Sequence, residues 1–407
     1  MRPRLLGLEL ELLLTRDGVP LLPAEWRDIV ERAVARGCPR IDEAYTGFPL
    51  GAMCAKGQFV LDNNCAVVEL VTLPHPSLEE TLGNLRDLLD FFQSIAPGVT
   101  LNWTSQFGEP IEEEYWRRTP TSGLYAIVRK EQWKHWSMMN SMAFQPAIDL
   151  YPDEIAPVLR VLYLSSPAFI CAFEGNKRWG AEHSPRLHLW RGMIPGGAAR
   201  IGIPQREIAS LADYVENLLE LPAFILSDKY KKGHLTYFGS AAEAPSAAAA
   251  MFGEVTAQRI RGLTGSADPR QAEMQIETAP VRATLADFYG LSLPFWNARL
   301  VFETGDKRHA ESPADIVKAI EAAPKRYVEI RHIGTPRDIE ELERYYRSFI
   351  KLVENAVALD ERISAVMRWD EVEAESRLAI RDGKPGEKSR EVLAVLQDFG
   401  VLQGEYP

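Results

Sequence analysis

Glu9 and Glu11 stand one residue apart in Gly7-Leu8-Glu9-Leu10-Glu11-Leu12. On a β-strand, side chains at i and i+2 leave the same face about 6.5–7 Å apart, so both carboxylates would stand together with the leucines packed behind them. Adjacent anions repel, and a buried carboxylate without a counter-charge costs several kcal/mol, so a cation should lie over the pair. Magnesium, which takes oxygen ligands, suits such a site. The segment alone also fits a helix, since Leu6, Leu10, Leu13 and Leu14 fall on one side and leave the glutamates in solvent. Alternation over residues 7–12 and a turn at Arg16-Asp17-Gly18 weigh for the strand, but the two readings stand level on this segment.

Acids recur in similar settings. Asp62 and Glu69 bracket an apolar stretch, and Glu69 lies between valines and a leucine, where a glutamate needs a partner unless the strand is an edge facing water. In Tyr327-Val328-Glu329-Ile330-Arg331, Glu329 and Arg331 share a strand face. They form either a simple ion pair, worth little at a surface, or a metal ligand beside an arginine whose planar fork suits phosphate and carboxylate. No GxxxxGK[ST], GxGxxG after a strand, GxSxG or HExxH motif occurs. A nucleotide here would be held by other means, such as metals bridging phosphates with arginine support.

The 407 residues make one large domain or two closely joined ones, with ample chain for a core. A formal net charge of -11 argues against nucleic-acid and anionic-membrane partners. Cys38, Cys54, Cys65 and Cys171 form no CxxC pair and have no histidine at zinc spacing, so they read as reduced thiols, mostly packing groups. No leader-like start and no uncharged run of membrane-spanning length is evident, which places the protein in the cytoplasm.

The elements that must position these residues are legible in part. Periodicity predicts helices over Pro23–Arg36, Ser77–Ile95 with Ser77 as its cap, Glu154–Ser165, Leu211–Leu219, Ser312–Ala322, Arg337 to about Leu359, and about Val392–Phe399 after a polar segment. Strands are expected at Phe59–Leu61, Ala66–Val71, Ser141–Leu150, Arg299–Phe302 and Arg326–Ile330, and small-residue loops at residues 195–199 and 239–250. Strands and helices do not alternate regularly, so the fold class is α+β with an antiparallel sheet.

Taken in order, these segments resemble the glutamate–cysteine ligase family and its carboxylate–amine ligase relatives. Gly7-Leu8-Glu9-Leu10-Glu11 resembles the family's opening GxExE strand. Asp62 and Glu69, followed by Leu-Val-Thr-Leu-Pro, resemble its D(x6)E-L-[IV]-T-x-P segment, and Tyr327 to Arg331 resembles its closing [YT]-[IV]-E-[VIL]-R strand. Ser165-Ser166-Pro167, at the end of the expected helix, is similar to N-S-P. Ser184 to Arg191 is similar to S-x-R-x-x-x-W, Arg200-Ile201-Gly202 with Ala212 to Val215 to R-x-G and D-Y-V, and Trp296 to Arg299 to a tryptophan–arginine element of part of the family. The likeness runs from the first strand to about Glu361.

It implies a glutamine synthetase/guanido kinase-like fold, a central antiparallel sheet forming a concave active site flanked by helices. It also implies a single catalytic domain over 1–407, with its core in about 1–361 and a helical extension over about 362–407. Carried over by position, it implies that Glu9, Glu11, Asp62, Glu69 and Glu329 hold two or three magnesium ions, with manganese possible, bridging ATP and the substrate carboxylate. Glu9, Glu11, Gln145, Arg299 and Arg331 would bind the nucleotide side, and Arg331, Arg186 and Arg200 the phosphoryl groups or acid substrate.

The implied reaction is amide formation through an acyl phosphate, on small amino-acid substrates, in a monomer or homodimer. A guanidino or carboxyl kinase, or a non-catalytic ATP-binding relative, are the alternatives. Two departures stand out: Ala147 lies where many relatives have Asn, next to Pro146, and an insertion over about 304–323 precedes Glu329. His188 and His332 read as structural, Trp190 and Trp296 as core or pocket wall, and Cys65 as a packing group.

Overall fold

The computed structural model describes residues 3–62, 64–105, 141–173, 183–184, 186–187, 197–226, 235–238, 244–264 and 273–404. The main sheet has ten strands: β1 Leu6–Arg16, β2 Val19–Pro20, β3 Arg40–Asp42, β4 Pro49–Cys54, β5 Gly57–Leu61, β6 Val67–Thr72, β7 Thr100–Asn102, β8 Phe144–Asp149, β15 Ala298–Glu303 and β16 Lys325–Ile330. The spatial order is β15-β16-β8-β1-β6-β5-β4-β3, with β2 and β7 also paired to β1. Every pairing among these strands is antiparallel, as the irregular alternation of elements led one to expect. Between β8 and β15 the chain forms β9 Ile201–Gly202, β10 Ile225–Leu226, β11 Thr236–Tyr237, β12 Val255–Thr264, β13 Glu273–Val281 and β14 Phe295–Trp296. Strands β10-β11-β12-β13 make a second sheet, and β14 pairs β9 in parallel.

Period-2 patterning decides which face is which. Leu8, Leu10, Leu12 and Leu14 of β1 point to a core shared with Val68, Leu70, Phe144, Ile148, Val328, Ile330 and Leu300, all at most 2 % exposed. The helices Leu78–Ile95, Ile155–Phe173 and Ile339–Glu354 pack into this core. The helix Leu78–Ile95 starts at Ser77, whose side chain accepts from Glu80 N, as its sequence predicts.

Two helix boundaries differ from expectation. The helix through Glu154–Ser165 continues to Phe173, so Ser165-Ser166-Pro167 lies inside it and not at its end. Pro167 has no N–H to offer the carbonyl of Tyr163, and the Ser166 hydroxyl donates to that carbonyl instead at 2.9 Å. Residues Pro152–Phe173 are long and apolar enough to cross a membrane, although Arg160 keeps them from being an uncharged run; the most apolar 18-residue stretch is 78 % buried inside the protein, and the segment serves as a core helix. The expected helix from Arg337 to Leu359 is two, Ile339–Glu354 and Ala356–Ser364, broken at Asn355. The polar segment after it holds the helix Val372–Asp382, and the last helix begins earlier, at Glu387. The region expected to be a loop over 239–250 includes the start of the helix Ala247–Phe252.

Pro146 shapes the sheet at a functional place. The β8–β16 ladder pairs Tyr327 with Asp149, Val328 with Ile148 and Glu329 with Ala147, then stops. The next residue on β8 is proline, which cannot donate to a ladder. Beyond that point the two strands are joined by side chains.

Candidate active site

Cross-strand partners share a face, so register alone gathers the acids. Glu11 faces Glu69 across β1 and β6, Glu9 faces Gln145 across β1 and β8, Glu329 faces Ala147, and Arg299 faces Glu329. This is the face opposite the leucines. The strand reading of Glu9 and Glu11 is therefore the correct one, and neither is on a helix.

The side chains form a connected row. Gln145 Nε2 donates to Glu11 Oε1 at 2.8 Å, and Gln145 Oε1 accepts from Arg331 Nη1 at 2.6 Å. Arg331 also donates to Glu329 Oε1, while Arg299 donates to Glu329 Oε2 through Nε at 3.1 Å and Nη2 at 2.8 Å. Arg186 Nη1 approaches Glu11 Oε2 at 3.4 Å, and the Thr335 hydroxyl donates to the Glu11 carbonyl at 2.8 Å. Glu11, Gln145, Arg186, Glu329 and Arg331 are all buried. Charged groups are placed so only when paired or hydrogen-bonded, and these are.

Electrostatics divides the row into two unlike ends. Burial by itself would raise the Glu329 pKa, but Arg299 and Arg331 outweigh it and hold the carboxyl below its ordinary range. Glu11 behaves oppositely: burial, reinforced by Asp62 and Glu9, pushes it up to about 8 in spite of Arg186 and Arg331. Asp62 follows β5 directly and lies close enough to Glu11 to act on it. Among the described residues, no group of three or more His, Cys, Asp and Glu side chains converges to hold a metal ion. The donor chemistry still separates the ends. At Glu329 two guanidinium groups already supply positive charge. The end with Glu9, Glu11, Asp62 and Glu69 is rich in carboxylate oxygens, and burial among them keeps the Glu11 pKa raised.

Arg200 is not brought into this row. Its buried guanidinium donates to the carbonyls of Ser292 at 3.0 Å, Leu293 at 2.9 Å and Pro222, and burial pushes its pKa down to about 10. These bonds tie together chain segments on either side of the second sheet. The neighbouring Asp-Tyr-Val stretch is also architectural. Asp213 completes the capping box of the helix Leu211–Glu220, and the Tyr214 hydroxyl accepts from Leu300 N at 3.0 Å, steadying the strand that carries Arg299. Trp296 is buried against Tyr163 and Tyr214. His332 lies in the core, with Nδ1 at 2.9 Å from the Asn297 carbonyl and its ring beside Phe169 and Phe349. Cys65 is fully buried. His188, Trp190 and Arg191, with residues 195–196 of the small-residue loop, lie outside the described residues.

Tyr289 and Tyr327 join the site without having been singled out in the sequence. The Arg299 guanidinium lies 5.5 Å from the centre of the Tyr289 ring, and burial raises both phenol pKa values well above the ordinary range, with Glu329 acting in the same direction. Tyr327 had a usable signal, being two residues before Glu329 on the same strand face. Tyr289 sits in the short helix Phe288–Ser292, where nothing in the sequence marks it.

No protein-family model matches the sequence, and no curated protein does. Solved structures do match in fold. One is the glutamate–cysteine ligase of Francisella tularensis, determined in complex with AMP, which superposes with a TM-score of 0.51 at 12 % identity over 98 % of this chain and 78 % of its own. A bifunctional glutathione synthetase from Pasteurella multocida superposes at 0.44 and 12 % identity, over 98 % of this chain and 47 % of its own. At such identity the first likeness speaks for the fold alone: helices and an antiparallel sheet arranged as in a glutamate–cysteine ligase.

Proposed function

We propose that this protein is an ATP- and magnesium-dependent carboxylate–amine ligase that activates an acid, the side-chain carboxyl of glutamate, as an acyl phosphate and passes it to an amine. The observation that carries the reading is the row of buried Glu11, Gln145, Arg331 and Glu329 with half-buried Arg299, across β1, β8, β16 and β15, on a sheet folded as in a glutamate–cysteine ligase. Support comes from the order of the sequence motifs as well, since the acids that resemble the family's lie on one face of one sheet.

The chemistry asks for such a face. A carboxylate oxygen attacks the γ-phosphorus, the bond to the β-phosphate oxygen breaks and ADP leaves; the amine nitrogen then attacks the acyl carbon and phosphate departs. Each encounter brings anions together, so fixed positive charge must offset their repulsion. Glu9, Glu11, Asp62 and Glu69 would hold magnesium or manganese, which when bound supplies positive charge between phosphate and carboxylate oxygens. Glu329 holds Arg299 and Arg331 in place, and Arg331 and Arg186 present guanidinium groups to the anionic reactants. Ala147 offers no polar atom beside Glu329, so the pocket that receives the amine differs from that of relatives with Asn there. The reading includes a cytoplasmic setting, small amino-acid substrates and action as a monomer or homodimer.

ADP release measured over a panel of acids crossed with amines tests it. The expected result is strong release only when an acid and an amine are both present, with glutamate among the acids. Full release with the acid alone would instead make the protein a kinase, and ATP binding without turnover across the panel would make it a non-catalytic relative.

A further inference from the structure

Cys38 and Cys54 lie at one end of the main sheet, away from the row of charges in sequence and in strand order. Just past the helix Pro23–Ala35 and its C-cap Arg36, Gly37 takes a left-handed φ of +88°, and Cys38 N donates back to the Ala33 carbonyl at 3.1 Å. The chain then enters β3. There Arg40 pairs with Ala52 and Ile41 with Gly51, and Met53 N donates to the Pro39 carbonyl at 2.9 Å. Carrying that register one step further sets Cys38 directly opposite Cys54. Because the 39/53 pair carries the ladder hydrogen bond, the 38/54 pair is of the non-hydrogen-bonded kind, in which facing side chains come closest. The two sulfurs are 3.0 Å apart, with the Cys38 thiol donating to Cys54.

We propose that Cys38 and Cys54 form a reversible oxidation site that closes a cross-strand disulfide when the protein meets a hydroperoxide. The sulfurs need to approach by only about 1 Å to reach the bond length of a disulfide, and both backbones are held by hydrogen bonds that set the approach. Cys54 is partly exposed, whereas Cys38, Cys65 and Cys171 are buried, so the oxidant reaches Cys54 first. The Cys54 sulfur attacks the peroxide oxygen, the O–O bond breaks, and a sulfenic acid and an alcohol or water result. The Cys38 sulfur then attacks the Cys54 sulfur, the S–O bond breaks, water leaves and the S–S bond forms. Two thiols have lost two electrons to the peroxide. Burial, and the neighbouring thiol, raise the Cys54 pKa, so the first step is slow at neutral pH and quickens as pH rises.

The ring closed in this way contains the turn after β3. There the Glu43 carboxylate accepts from the backbone of Tyr45 and Thr46, and Tyr45 packs on a cluster of Ile225, Tyr237 and Ile260 of the second sheet with Leu235 just before β11. Oxidation therefore stiffens a segment through which the two sheets touch. In a reducing compartment such pairs act transiently and not as permanent staples.

The test is made on the full, reduced chain, treated with hydrogen peroxide, then alkylated and mapped by mass spectrometry. The expected result is loss of two of the four alkylation sites, a peptide joining residues 38 and 54, and recovery of both sites with dithiothreitol. In Cys38→Ser or Cys54→Ser the joined peptide should vanish. Four alkylated thiols after peroxide in the unsubstituted protein, or bridges that favour no particular pair, would overturn the proposal without relying on any variant's folding.

Discussion

Gln145 donates its side-chain amide to Glu11 Oε1 at 2.8 Å, although the residue it faces across the β1–β8 ladder is Glu9. Its other end accepts from Arg331, so one neutral residue separates the carboxylate-rich end of the site from the arginine-rich end. The amide can serve both neighbours only because it is donor and acceptor at once.

Replacing Gln145 by Leu removes both bonds and leaves Glu11 and Arg331 each short of a buried partner. The expected cost is about 1–3 kcal/mol of stability, with a larger proportional loss of turnover. Urea denaturation beside ADP release checks both. Full turnover in a folded Gln145→Leu protein would show that the link is incidental.

Arg299 and Glu329 should be strongly coupled. Arg299→Met leaves a buried carboxylate with one guanidinium fewer and is expected to lose about 3–5 kcal/mol, as is Glu329→Gln. The double variant should lose less than the sum of the two, with a coupling energy above about 1 kcal/mol in a double-mutant cycle. Additive losses would mean that the pair contributes nothing beyond its separate contacts.

Arg186 and Arg200 are expected to separate. Arg200→Met deprives three backbone carbonyls of a charged donor and should cost about 2–4 kcal/mol, with the ATP dependence of the surviving enzyme unchanged. Arg186→Met should instead lower turnover more than stability. Steady-state kinetics together with melting curves distinguish these outcomes, and the reverse pattern would return Arg200 to the phosphoryl site.

His332 gives the fold a defined acid sensitivity. Burial lowers its pKa from 6.5 to about 4 in the folded protein, so the unfolded chain binds the extra proton first. The contribution to stability is intact above pH 6.5, declines as pH falls from 6.5 towards 4, and amounts to a loss of about 3 kcal/mol below that. Unfolding free energies at pH 7 and pH 4.5 should therefore converge in His332→Leu relative to the parent. An unchanged difference between the two pH values would assign the acid loss to carboxylates alone.

Much of the site was legible because strand periodicity is a strict rule. Once β1, β6 and β16 are strands, Glu9, Glu11, Glu69 and Glu329 must leave alternate positions, and antiparallel pairing does the rest. Pro146 was also informative, since a proline in a strand interior limits the ladder whatever surrounds it. The carbonyls around Arg200 were not legible, because residue type does not say whether carbonyls or phosphates will surround a guanidinium. The helix through Pro167 was cut short because the compensating bond from Ser166 to Tyr163 depends on three-dimensional geometry that no spacing encodes. The long β12–β13 ribbon is largely exposed on β13, so no apolar alternation announced it. The helix Val372–Asp382 was hidden in the same way, by a charged sequence with a narrow buried stripe.

The central claim is that Glu11 belongs to a phosphoryl-transfer site. ADP release by the parent and by Glu11→Gln, at saturating ATP, magnesium, acid and amine, tests it most directly. The substitution keeps the size of the side chain and replaces a carboxyl that would ionise on a cation with an amide that cannot. Loss of at least about tenfold in turnover is the expected result, with a melting temperature close to the parent's at neutral pH because the Glu11 pKa, raised to about 8, already keeps most of that carboxyl neutral there. Turnover equal to the parent's would contradict the account.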